Sequence, residues 1–167
     1  MSWYGSGKTL TEGMDAEEKF KLLAESKGYT VYKTRKNVDR LGKYDFFIEK
    51  NNTRYKIEVK GRKKSKRQHL EFMTDEIWVE FQNGDGYPGW LYGQSDFIAQ
   101  RTEEGTFLLI KREYLKDLSE KLIDRSTFVN NANQALHKAY KRFQRNDIIG
   151  KLLLSDLDYR RVKVWKI

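Results

Sequence analysis

The spacing of apolar residues changes period several times along the chain. Between residues 15 and 27, Phe20, Leu23 and Ala24 recur at helical spacing among charged neighbours, which predicts a short amphipathic helix. Asp15 is the expected N-cap, Glu18 completes a capping box, and Gly28 ends the helix. From residue 30 the pattern turns to alternation. TVYKT (30–34), KYDFFIE (43–49), TRYKIEVKG (53–61) and EIWVEFQ (76–82) read as strands, the middle two forming a hairpin through Lys50, Asn51 and Asn52. NGDGYPG, which holds the single proline Pro88, reads as a loop. WLYG, SDFIAQRT and TFLLIKRE follow, then a helix near 112–124 and a second over 132–144. DIIGKLLL and VKVWKI are expected to be late strands. Helix, strands and further helix predict an α/β sandwich or α+β domain over 15–167, behind a flexible segment 1–14.

Composition narrows the chemistry. The 167 residues suit one domain with a real core, and 14% aromatics are too many for a disordered chain. Cysteine is absent, which removes disulfides, thiol catalysis and cysteine-bound zinc. Only His69 and His137 could supply imidazole. Metal chemistry would therefore rest on carboxylates, the donors of a hard cation such as Mg²⁺. Lack of cysteine suits a reducing cytoplasm, and neither a membrane span nor a signal peptide is expected. A net charge of +9 points to a polyanionic partner, nucleic acid first.

GSGKT at 5–9 has the letters of a phosphate-binding loop. Ser2 stands where that motif needs glycine, and no strand is expected before it. Lys8 and Thr9 are therefore expected to have no nucleotide to hold.

The hairpin offers more. In TRYKIEVKG, Tyr55, Ile57 and Val59 share one face, and Arg54, Lys56, Glu58 and Lys60 the other. Phe46 and Ile48 face away from Asp45. Antiparallel pairing can place Asp45 beside Glu58, with Lys60 close by. Two adjacent carboxylates repel unless a cation joins them, and a divalent metal would satisfy both. A lysine two residues beyond the glutamate could orient or activate water and offset charge at a phosphate.

Asp45, followed by Glu58-Val59-Lys60 on the next strand, resembles the PD-(D/E)XK nuclease superfamily. The preceding helix, Gly28 and TVYKT fit the same order, so the resemblance spans residues 15–82. Tyr44 stands where that superfamily often has proline. AEEKFKLLAESKG resembles the first helix of archaeal Holliday junction resolvases of the superfamily, in which a glutamate also reaches the metal, and Glu17 takes that place. The resemblance implies a restriction-endonuclease-like α/β fold, a mixed central sheet flanked by helices. It implies a metal-dependent DNA endonuclease akin to junction resolvases or small phage nucleases. Asp45, Glu58 and Glu17 would hold Mg²⁺, with Mn²⁺ substituting, and Lys60 would assist the attacking water. DNA or RNA, and monomer or homodimer, stay open. The alternative is a basic nucleic-acid-binding module without catalysis.

Two cationic segments are candidates for gripping phosphate. Arg62, Lys63, Lys64, Lys66 and Arg67 follow directly on Lys60. Lys138, Lys141, Arg142 and Arg145 would share one face of the helix expected over 132–144, beside an apolar face of Leu136, Ala139, Tyr140 and Phe143. A membrane-surface helix has a similar look, but this apolar face is short and broken by alanines, so DNA is favoured over lipid. Glu80 is expected to be an ordinary surface glutamate, and Asp96 a turn residue without a catalytic role.

Overall fold

The structure, a computed structural model, describes residues 11–35, 44–64 and 72–167. Lys8 and Thr9 of GSGKT, and Lys66 and Arg67 of the first cationic run, lie outside the described residues.

Helix α1 spans Glu12–Ser26 and starts earlier than expected. Its cap is Thr11, whose Oγ1 accepts the Met14 N–H at 3.1 Å. Asp15 is not the cap: it lies inside the first turn, where its carboxylate accepts from Arg101 Nη1 at 2.8 Å. Glu18 therefore has no capping box to complete and stands exposed in mid-helix. Gly28 follows the helix at φ +91, the left-handed geometry expected of a helix-ending glycine. Ala16, Phe20, Leu23 and Ala24 form the buried stripe.

Strands β1 (Thr30–Lys33), β2 (Phe46–Lys50) and β3 (Thr53–Lys60) form an antiparallel meander. Asn51 and Asn52 both have positive φ, 52 and 63, so β2 and β3 are joined by a two-residue turn of the type that asparagine tolerates. β4 (Lys63–Lys64) and β5 (Phe72–Met73) pair with each other. β6 is Glu76–Gln82, β7 Phe97–Glu103 and β8 Thr106–Lys111, followed by α2 (Arg112–Leu122). β9 (Asp124–Val129), β10 (Lys138–Tyr140), β11 (Ile148–Leu153) and β12 (Val162–Lys166) complete the order.

The central sheet runs β1-β2-β3-β7-β8-β12, and β3 pairs with β7 in parallel while the other neighbours are antiparallel. Asp96 helps fix the parallel register: its Oδ2 accepts the Lys56 N–H at 2.8 Å. Residues of β7 and β8 are buried on both faces. Ala99, Phe107 and Leu109 pack towards α1, with Phe20, Phe46 and Ile57. Ile98, Leu108 and Ile110 pack the other way, with Leu115 of α2 and Ile77, Val79 and Phe81 of β6. β6 belongs to a second sheet, β6-β11-β10-β9. The chain is thus a mixed α/β, sheet-rich fold. The expected mixed central sheet is present, but helices do not flank both faces alone. α1 covers one face, and the second sheet with α2 covers the other.

The helix expected over 132–144 does not form. Asn131 caps only a single 3₁₀ turn, Ala132–Gln134. His137 and Gln144 have positive φ, 56 and 58, which no right-handed helix accommodates. Residues 138–140 pair instead with β9 and β11. The supposed apolar face is split: Ala139 is buried and Tyr140 half-buried, whereas Leu136 is 37% and Phe143 87% exposed. The edge of β11 supplies backbone partners that override a helical pattern of side chains.

Candidate active site

Asp45 immediately precedes β2, and Phe46 is opposite Ile57. One step further along this antiparallel ladder sets Asp45 against Glu58. The Asp45 N–H donates to Ile57 O at 2.8 Å, and its Oδ2 accepts the Val59 N–H at 2.8 Å. The expected proximity of Asp45 and Glu58 is thus built into the register. Both are buried, at 6% and 7% exposure. Lys60 Nζ lies 3.0 Å from Glu58 Oε1 and 4.9 Å from the centre of the Trp90 ring. Burial pushes the Lys60 ammonium towards a lower pKa, but the carboxylates of Glu58, Asp45 and Glu80 outweigh it and hold the pKa above the ordinary lysine value.

These groups line a cavity of about 550 Å³. Glu17, three residues before Phe20 on the same side of α1, reaches the same cavity and pairs with Lys33 of β1. Gly61 makes the approach of α1 feasible. A Cβ there would stand 2.8 Å from Glu12 Cγ and 3.2 Å from Glu12 O. The first turn of α1 therefore rests directly against the end of β3.

The cationic candidates divide. Arg62 faces inward with a side chain only 10% exposed, its Nε 3.0 Å from Glu12 Oε2 and its guanidinium 4.3 Å from the Phe72 ring centre. It is an internal tie between α1 and the strand end. Lys63 is exposed but lines the cavity rim, where partial desolvation and the charges of Lys60 and Arg142 push its pKa below the ordinary lysine value. Lys64 is exposed. Lys138, Lys141, Arg142 and Arg145 do not form one helical stripe. Lys138 is on β10, and the other three lie in the turn-bearing segment between β10 and β11. Arg142 lines the cavity and pairs with the buried Asp147, whose Oδ1 is 3.6 Å from Arg145 Nε.

Sequence reasoning undervalued Glu80. It lines the cavity, and its Oε1 accepts the Trp90 N–H at 3.3 Å. The signal was present in EIWVEFQ. Ile77, Val79 and Phe81 fill the core, so Glu76, Trp78 and Glu80 must share the opposite face. What alternation could not give was the second sheet that turns this face towards Asp45 and Glu58. Trp90, Asp147 and Glu12 also line the cavity and carried no distinguishing sequence signal.

The donor set bears on a metal. Carboxylate oxygens suit a hard divalent cation, and Asp45 and Glu58 are fixed on adjacent strands by backbone geometry. Among the described residues, however, no group of three or more His, Cys, Asp or Glu side chains is arranged as a metal cluster. Glu17 stands in the cavity wall, engaged with Lys33. Asp45 and Glu58 thus offer the oxygen chemistry of a hard-cation site, with Glu58 Oε1 engaged by Lys60 and Asp45 Oδ2 by the Val59 N–H.

Fold and site together define a sheet-rich mixed α/β protein with an acidic and basic cavity at the meander. No protein-family model, curated protein or solved structure matches the chain. No described helix is long and apolar enough to cross a membrane.

Proposed function

We propose that the chain is a metal-dependent DNA endonuclease with a PD-(D/E)XK-type site on a restriction-endonuclease-like core. The observation that carries this reading is the meeting of Glu17, Asp45, Glu58 and Lys60, drawn from three successive parts of the chain, in one cavity. In this reading Asp45 and Glu58 would hold Mg²⁺, and Glu17 would help position the metal or water. The bound cation would supply charge for phosphate and a more acidic water. Lys60, fixed by Glu58 and Trp90, orients the attacking water and offsets charge on the phosphate. Lys63 and Arg142 line the same cavity, and in this reading they meet flanking phosphates.

Two observations favour a second reading, a basic nucleic-acid-binding protein without catalysis. Lys60 already neutralises Glu58, and no three-donor metal cluster is present among the described residues. A single assay separates the two. End-labelled single-stranded, duplex, flapped and four-way-junction DNA, with matching RNA, is incubated with the protein in Mg²⁺ or in chelator. Cleavage that needs Mg²⁺ and is lost in Asp45→Asn and Glu58→Gln supports the nuclease. Binding without cleavage under every metal condition supports the alternative.

A further inference from the structure

Phe143 is 87% exposed, the most exposed large hydrophobic among the described residues. A lone surface hydrophobe needs no explanation, but the setting of this one is unusual. It sits in a tight turn closed by the Arg145 N–H on Arg142 O at 3.1 Å. The next residue, Gln144, is held at φ +58, a conformation that costs energy without glycine or asparagine. Both sides of the turn are anchored. The Lys141 N–H donates to Val129 O at 3.1 Å, and Gln82 Nε2 donates to Asn146 O at 2.7 Å. Asp147 is buried at 5% and engages Arg142 and Arg145 from below. The segment is therefore a braced projection with an aromatic tip. Its cations are Lys141, Arg142 and Arg145, and Arg142 lines the cavity.

We infer that Phe143 is a stacking platform for an unpaired base of a nucleic acid strand entering that cavity. A ring presented among cations meets both demands of a single-stranded or branched substrate. The ring takes the face of a base, while the cations take the flanking phosphates. A rigid mount lowers the ordering cost, because the ring does not have to be collected from a mobile loop. The neighbouring charges select a polyanion rather than an apolar protein surface. This inference rests on the proposed nucleic-acid function and specifies its substrate as one with unpaired bases.

The test uses the full chain in chelator, so that binding is read without cleavage. Fluorescence anisotropy follows a labelled single strand, a duplex with a single-stranded flap and a plain duplex across a salt series. Phe143→Ala is expected to weaken binding of the single strand and the flapped duplex by about tenfold or more, and binding of the plain duplex much less. The slope of log K against log salt stays unchanged, since no phosphate contact is lost. Phe143→Trp retains affinity, whereas Phe143→Leu, which keeps an apolar side chain without a π face, loses it as Ala does. Wild-type affinity in Phe143→Ala overturns the inference. So does retained affinity in Phe143→Leu, equal loss on all three substrates, or absence of nucleic-acid binding by the wild type. Failure of the wild type to cleave in Mg²⁺ while these effects hold would reject the nuclease reading and leave the platform standing.

Discussion

The Asp45 carboxylate accepts the Val59 N–H at 2.8 Å, which ties the start of β2 to the peptide between Glu58 and Lys60. One oxygen of a proposed ligand is thus also a structural acceptor for a buried amide. Substitutions at Asp45 should separate these two roles. Asp45→Asn keeps an oxygen for Val59 and should melt close to wild type, yet abolish Mg²⁺-dependent cleavage. Asp45→Ala orphans the amide and should cost about 1–3 kcal/mol in addition. Denaturant unfolding beside a cleavage assay checks both. Cleavage at the wild-type rate by folded Asp45→Asn would show the assigned site to be wrong.

A second prediction concerns the ion pairs beneath α1. Arg101 is fully buried, held by Glu12 at 3.1 Å, Asp15 at 2.8 Å and Glu104 at 2.9 Å. Removing one partner of a buried pair leaves charge uncompensated, so Arg101→Ala should cost about 3–5 kcal/mol. Burial alone would raise the Glu12 pKa, but hydrogen bonds from Arg62 and the charges of Arg101 and Arg62 outweigh it and bring the pKa below the ordinary glutamate value. The unfolded chain then binds the proton more readily. The Glu12 contribution is fully present above the ordinary value of about 4.3 and is lost as pH falls through the folded pKa. Urea unfolding over about pH 3 to 6 should show this slope in the wild type. In Glu12→Gln the slope should be shallower, and an equal slope would remove Glu12 from the account.

A third prediction tests how tightly the cavity wall is built. A Cβ on Gly89 would lie 2.3 Å from Glu80 O and 2.7 Å from Glu80 Cγ. Backbone cannot yield there as a flexible side-chain tip would. Gly89→Ala should cost about 1–3 kcal/mol or more by overpacking. It should also disturb the Glu80–Trp90 contact beside Lys60. Gly84→Ala is the control, because nothing lies within 4 Å of its added Cβ. Equal melting of the two variants would contradict the close approach.

Much of the site's inner part was legible in the sequence because it is local. The hairpin was legible and allowed Asp45 to lie beside Glu58, but its register was not: Lys50 was expected in the connection, whereas it pairs with Thr53 and leaves Asn51 and Asn52 alone to turn. Glu17 follows from the period of one helix, whose buried stripe was visible in Phe20, Leu23 and Ala24. The outer wall was not legible, because it depends on pairings between distant segments. β6 pairs with β11, and Trp78 opposes Lys151. Nothing in either segment names the other. The segment 132–144 misled for the same reason. Its cations have helical spacing, but β9 and β11 offered its backbone better partners. Arg62 was read as a phosphate contact because its neighbours are basic, whereas its actual partner, Glu12, lies 50 residues earlier.

The last prediction separates the adjacent glutamates of α1. Glu17 lines the cavity and pairs with Lys33, while Glu18 is exposed and has no cap to support. Glu17→Gln should slow cleavage strongly if it positions water or metal, with little loss of stability, since its ion pair is part-exposed and worth about 0–1 kcal/mol. Glu18→Gln should leave cleavage unchanged and alter stability by no more than about 0.5 kcal/mol. The capping loss once expected at Asp15 and Glu18 moves to Thr11. Thr11→Ala should cost about 1 kcal/mol, because the Met14 N–H loses its acceptor. Single-turnover cleavage and thermal melting of the three variants give a distinct signature for each residue. Slow cleavage in Glu18→Gln with wild-type rates in Glu17→Gln would place the other face of α1 against the substrate and remove Glu17 from the site.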